Sequence, residues 1–186
     1  MKTYKRKTTK KTRKVKKYKG GHKVFYNIAG PRHARHRYLT ENPRSNCAAG
    51  VMNALGYMTY DTAEYLATRA PNGLYRNIFQ ELVETQYRGT HTWVHFQNNF
   101  ENDILQMLNP GEAMPGYFDE HYIVVSNIGG TLFAIDPQSH VQMPLNDYVR
   151  YDAHFFVLNS DDVIHAHNEI LPTDINAVFD AHPEMR

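Results

Sequence analysis

One cysteine occurs in the 186 residues, and it stands where a thiol can react. Cys47 opens the run Cys47-Ala48-Ala49-Gly50-Val51-Met52-Asn53-Ala54-Leu55, directly after the turn-forming stretch Glu41-Asn42-Pro43-Arg44-Ser45-Asn46. Its apolar residues recur at helical spacing, so the thiol falls on the first turn of a helix. Unpaired backbone N–H groups and the positive end of the helix dipole favour thiolate over thiol there. Two more polar residues sit at the ends of β-like runs far downstream. His121 opens His121-Tyr122-Ile123-Val124-Val125-Ser126, and Asp136 closes Thr131-Leu132-Phe133-Ala134-Ile135-Asp136. A thiolate attacks a carbonyl carbon, an imidazolium donates a proton to the leaving amine, and a carboxylate fixes the direction and tautomer of the imidazole. Cys47, His121 and Asp136, in that order, are the candidate catalytic set of a thiol hydrolase.

For these residues to meet, three elements must converge. Asn127-Ile128-Gly129-Gly130 reads as a hairpin turn between the histidine strand and the aspartate strand. One strand leaves and the other returns, so His121 and Asp136 come to the same end of a sheet, and the helix that starts at Cys47 must lay its first turn there. The rest of the chain divides in character. Helical patterns fill the first half, with Gly56 as a C-terminal cap, a second helix capped by Thr59 or Asp61, a third carrying Leu74, Ile78, Leu82 and Val83, and a short one from Asn99 to Leu108. Thr92 to Phe96 reads as a strand among them. Glu112 to Phe118, His121 to Ser126, Thr131 to Ile135, His140 to Met143 and His154 to Leu158 are short β-like runs, with a short helix over Asn146 to Tyr151. Helices first and antiparallel strands afterwards predict an α+β fold.

Charge is distributed unevenly. Residues 1–38 hold 15 of the 21 lysines and arginines and no acid, whereas residues 39–186 hold the other six and all 19 acids, a charge of −13. The expected organisation is a basic, disordered arm over residues 1–21, a lead-in segment over 22–40, a catalytic domain over 41–160 and a polar tail over 161–186. Eleven basic residues between Lys2 and Lys19 predict binding to nucleic acid or another polyanion, or a targeting role. Gly20-Gly21 closes the arm as a hinge, with a processing site as the sharper expectation. A lone cysteine excludes an intramolecular disulfide and suits a reducing, intracellular setting, with the nucleus or a virion as destinations for a basic arm. No apolar run is long enough to cross a bilayer, and no membrane partner is expected.

The same residues carry a family resemblance. The chain resembles papain-like cysteine peptidases, and within them the Josephin-type deubiquitinases and the C39-like bacteriocin-processing peptidases. Cys47-Ala48 with Asn53 and Leu55 on one helix is similar to the Josephin nucleophile segment. Glu120-His121-Tyr122, an apolar strand, a turn and Phe133-Ala134-Ile135-Asp136-Pro137 are similar to the histidine and acid segments of both groups, with Asp136-Pro137 leaning toward the C39-like pattern. The likeness covers about residues 41–158. It implies a papain-like fold, with a helical part that bears the nucleophile packed on a C-terminal antiparallel sheet, and cleavage of peptide or isopeptide bonds in a protein or peptide substrate, ubiquitin-like on the Josephin side, without a cofactor. Its Josephin side implies a Gly-Gly specificity that would make Gly20-Gly21 a self-processing site. These families place a glutamine five or six residues before the nucleophile to bind the oxyanion. Asn42 and Glu41 occupy those positions here, and Asn42 is the candidate because its amide can donate.

Other residues compete less well. His91 and His95 are four apart, but on a strand and without a cysteine or carboxylate to complete a metal set. His165 and His167 lie with Asp161 and Asp162 in what reads as a solvated loop. No glycine-rich phosphate loop is present. Tyr57, Tyr60 and Tyr65 either line a substrate groove or pack in the core. The alternative to an enzyme is a papain-like structural or virion-associated protein without turnover, whose arm binds nucleic acid or other assembly components. The Lys-rich, Gly-Gly-ended N-terminus resembles in composition those of small proteins of large DNA viruses.

Overall fold

A computed structural model describes residues 22–23, 47–86, 91–96, 100–148, 153–158 and 169–185. Its elements in chain order are β1 (His22–Lys23), α1 (Cys47–Ala54), α2 (Tyr60–Arg69), α3 (Arg76–Glu84), β2 (His91–Phe96), α4 (Phe100–Met107), β3 (Glu112–Phe118), β4 (His121–Ile128), β5 (Thr131–Asp136), β6 (Val141–Pro144), α5 (Leu145–Tyr148), β7 (Ala153–Leu158) and α6 (Pro172–Ala181). The α+β expectation holds. The sheet is antiparallel at every pairing, in the order β2-β7-β3-β4-β5-β6. The short β1 shares one edge of β3 with β7, pairing at Glu112 and Ala113 while β7 pairs at Gly116 and Tyr117.

Local chemistry sets the helix boundaries. Helix α1 ends because Gly56 takes a φ of 75°, which lets Tyr57 N–H donate to Met52 O and Gly56 N–H to Asn53 O, a Schellman closure. Helix α2 starts at Thr59, whose side chain accepts from the Thr62 N–H at 3.2 Å. Of the two caps anticipated, Thr59 is the one used.

Strand alternation divides the core into two layers. Tyr122 and Val124 of β4 pack with Ala113 under α1, α2, α3 and α6. Ile123 and Val125 face the other way, against Met114, Leu132, Ala134, Phe155 and the apolar sides of α4 and α5. Aromatic rings tie the first layer together: Phe79 of α3 stacks on Tyr122 at 5.0 Å, and Trp93 of β2 donates its Nε1–H to Arg76 O at 3.0 Å.

The C-terminal region differs from the polar tail expected over 161–186. Ile170, Ile175, Val178, Phe179 and Met185 are buried in the first layer. Ile170 N–H donates to Tyr57 O, Tyr65 Oη–H to Asn176 Oδ1, and Gln86 Nε2–H to Asp174 Oδ2. The physical reason is a narrow stripe: Ile175, Val178 and Phe179 fall on one helical face, begun by Pro172 at the first turn, while the rest of the helix is polar or alanine. The compact domain therefore extends past residue 160 to Met185. Residues 161–168 lie outside the described residues, as do the arm, Gly20-Gly21 and most of the lead-in segment.

Candidate active site

Cys47 is the first residue of α1, and its side chain is buried at 7 % relative exposure. Gly50, one turn on, is where α1 meets the far end of β5. A Cβ at Gly50 would stand 3.2 Å from Pro137 Cβ, so the missing side chain is what allows this close approach. Pro137 follows Asp136 directly, and the contact therefore sets the distance between α1 and Asp136.

His121 is positioned by two turns. On its N-terminal side, Asp119 and Glu120 have φ of 50° and 58°, the signature of a two-residue hairpin turn that pairs Phe118 with His121. On its C-terminal side, β4 continues through Asn127 and Ile128, which pair with Leu132 and Thr131, and the hairpin turns at Gly129-Gly130, where Gly130 N–H donates to Asn127 Oδ1 at 2.9 Å. The resulting register, Val124 opposite Ile135, brings Asp136 back to the end of β4 that carries His121. His121 Nε2 and Asp136 Oδ2 are 2.9 Å apart. The Cys47 side chain is near enough to the ring to raise its pKa. With Nε2 engaged by the carboxylate, Nδ1 is the nitrogen left for sulfur.

Electrostatics follow from this arrangement. Burial opposes charge on Asp136, but hydrogen bonds from His121, from Ser139 and from the Gln138 N–H outweigh it and hold the carboxyl well below the usual range. Burial likewise opposes charge on His121, yet the hydrogen bonds to Asp136 and Cys47 and the nearby negative charge raise its pKa to about 10. At neutral pH the site therefore holds an imidazolium near the Cys47 sulfur.

The structure thus brings Cys47, His121 and Asp136 together at one end of the sheet. Asn42 and Glu41 lie outside the described residues. Sequence reasoning missed three participants. Ser139 donates its hydroxyl to Asp136 Oδ2 at 2.6 Å and its N–H to Oδ1 at 3.2 Å. The signal was present, since an aspartate that accepts from residues two and three further on is a common turn motif, and Asp136-Pro137-Gln138-Ser139 has turn composition. Tyr148, on α5, donates to Asp136 Oδ2 at 3.2 Å, and no local pattern announced it. Gly50 is visible only once helix and turn are seen in contact.

Other candidates fall elsewhere. Tyr57 is fully buried in the core, Tyr65 bonds to Asn176 of α6 and Tyr60 pairs with Glu64. His91 and His95 lie on β2, where residues four apart are about 13 Å distant. His95 stacks instead on His154 of β7, ring centroids 4.6 Å apart. Among the described residues no group of three or more histidines, cysteines and carboxylates could hold a metal ion, and no helix is long and apolar enough to cross a membrane. His165 and His167 lie outside the described residues. No protein-family model, no curated protein and no solved structure matches the chain.

Proposed function

We propose that the chain is a cysteine peptidase or isopeptidase of the papain-like type, with Cys47 as nucleophile, His121 as general acid and base, and Asp136 as the orienting acid. The observation that carries the proposal is the meeting of one thiol, at the start of a helix, with a His121–Asp136 pair 2.9 Å apart at the end of an antiparallel sheet. The papain-like assignment rests on that layout together with the resemblance of the nucleophile, histidine and acid segments.

In the proposed reaction the Cys47 thiolate attacks the scissile carbonyl carbon and a tetrahedral oxyanion forms. The Cys47 N–H and the Asn42 amide are the proposed donors to it. Collapse breaks the C–N bond, and the proton from His121 leaves with the amine. The thioester left on Cys47 is then attacked by a water whose proton passes to His121, restoring the starting state. Asp136 stays ionised throughout and keeps the ring aimed at sulfur.

The substrate is a protein or peptide. A body carrying −13 beyond residue 38 suits a basic partner surface, including that of a ubiquitin-like protein. The arm from Lys2 to Lys19 is proposed to bind nucleic acid or another polyanion and to locate the enzyme in the nucleus or a virion. Incubation with ubiquitin-type and peptide-type electrophilic substrates, followed by mapping of the modified residue, tests the proposal. Labelling at Cys47 that His121→Ala abolishes supports it; no labelling by either class counts against turnover and favours a structural protein with the same fold.

A further inference from the structure

We propose that Ser139 and Tyr148 are positioning residues for this site, their hydroxyls locking the Asp136 carboxylate in the one orientation that aims His121 at the sulfur. The inference rests on the hydrolase proposal above and adds two residues that act through Asp136 rather than on substrate.

Five donors converge on the Asp136 carboxylate. Oδ1 accepts the N–H groups of Gln138 at 2.8 Å and Ser139 at 3.2 Å; Oδ2 accepts Ser139 Oγ–H at 2.6 Å, His121 Nε2–H at 2.9 Å and Tyr148 Oη–H at 3.2 Å. A carboxylate has about four lone-pair sites, so these donors leave none free. A group held this way cannot rotate, and the imidazole bonded to it cannot swing. The Ser139 hydroxyl contact, at 2.6 Å, is the shortest of the five and has the length usual for a hydroxyl on a carboxylate.

Tyr148 contributes from a different element. Its ring packs on Phe118 at 5.2 Å and 73°, and Phe118 is the register partner of His121. One side chain on α5 therefore braces both the acid and the strand end that carries the histidine. Burial, and then the Asp136 charge, push the Tyr148 hydroxyl well above its ordinary pKa, so it remains a donor across the working range. The hydroxyls also draw charge from Oδ2. Asp136 then does not take the Nε2 proton, His121 keeps both ring protons, and the one on Nδ1 stays available for the leaving amine.

The test follows Cys47 alkylation by iodoacetamide against pH in Ser139→Ala, Ser139→Thr, Tyr148→Phe and His121→Ala, alongside thermal unfolding. The expected result is a loss of about tenfold in rate at pH 6 for Ser139→Ala and of a few-fold for Tyr148→Phe. Ser139→Thr, which keeps the hydroxyl, should restore most of the rate. The acid limb in Ser139→Ala should move up, because an imidazolium held less firmly by Asp136 stabilises the Cys47 thiolate less well. A purely structural role would lower the unfolding temperature without moving the pH profile. The inference is overturned if His121→Ala slows alkylation while Ser139→Ala and Tyr148→Phe keep the wild-type profile within twofold; were Ser139→Ala not to fold, Ser139→Thr and Tyr148→Phe decide the question. Alkylation insensitive to His121→Ala would instead remove the hydrolase proposal itself.

Discussion

The charge on His121 decides what Cys47 can do. A free imidazole is mostly neutral above pH 7, and a neutral ring cannot stabilise a thiolate beside it. Here the carboxylate of Asp136 and the nearby sulfur keep the ring charged up to about pH 10. Linkage fixes the sign of the consequence. The folded-state pKa is raised above the unfolded value of about 6.5, so the stability contributed by His121 is fully present below that value. It is lost as pH rises through about 10. Urea unfolding should therefore show the wild-type midpoint falling between pH 7 and 10 more steeply than that of His121→Ala. Asp136 works in the opposite direction, its contribution being present above the ordinary carboxyl range and lost as pH falls through its depressed value. Replacement by Asn keeps the shape but removes the charge, and Asp136→Asn should lower the hydrolysis rate by about 10²-fold or more with little change in fold.

At the scale of elements, the site depends on how close α1 can come to the turn after β5. Gly50→Ala improves helix propensity by about 1 kcal/mol. The added Cβ at 3.2 Å from Pro137 must also push α1 from the acid by a few tenths of an ångström. Stability and reactivity should thus separate: thermal unfolding near wild type, and a rate of Cys47 modification lowered about tenfold. Helix α6 tests the core rather than the site. Phe179 is fully buried against α2 and α3, with the Arg69 guanidinium 5.5 Å from its ring centroid. Phe179→Ala should cost about 3–5 kcal/mol in chemical denaturation, far more than any change in a polar tail would. These two elements also mark what the sequence made legible. Strands β3, β4 and β5 were readable because short apolar runs end at sharp turns, although β4 continues past the expected Ser126 to Ile128, and His121 and Asp136 were readable because they sit at strand ends joined by one hairpin. Helix α6 was hidden because a three-residue apolar stripe among acids and asparagines resembles a solvated segment. The Gly50–Pro137 contact and the Tyr148 bond were hidden because they join segments about 90 and 12 residues apart that no local pattern connects.

For the whole molecule, charge and topology make separate demands. The acidic body and the basic arm carry opposite charges within one chain, and the arm's eleven cations between Lys2 and Lys19 are dense enough to displace counterions from a polyanion. Binding to duplex DNA should weaken steeply with salt and vanish when residues 1–20 are removed, as read by anisotropy titrations at several salt concentrations. Topology bears on self-processing at Gly20-Gly21. His22 pairs with Ala113, five residues along β3 from Phe118 and so about 17 Å from the His121 end of the sheet. Cleavage there, if Cys47 performs it, should proceed between molecules and slow on dilution. The most direct test of the central claim is intact-mass analysis after reaction with a ubiquitin-type and a peptide-type electrophile, wild type against His121→Ala and Asp136→Asn. One adduct, on Cys47, formed by the wild type and lost or strongly slowed in both variants, is the predicted result; a thiol modified equally fast in all three would contradict the account.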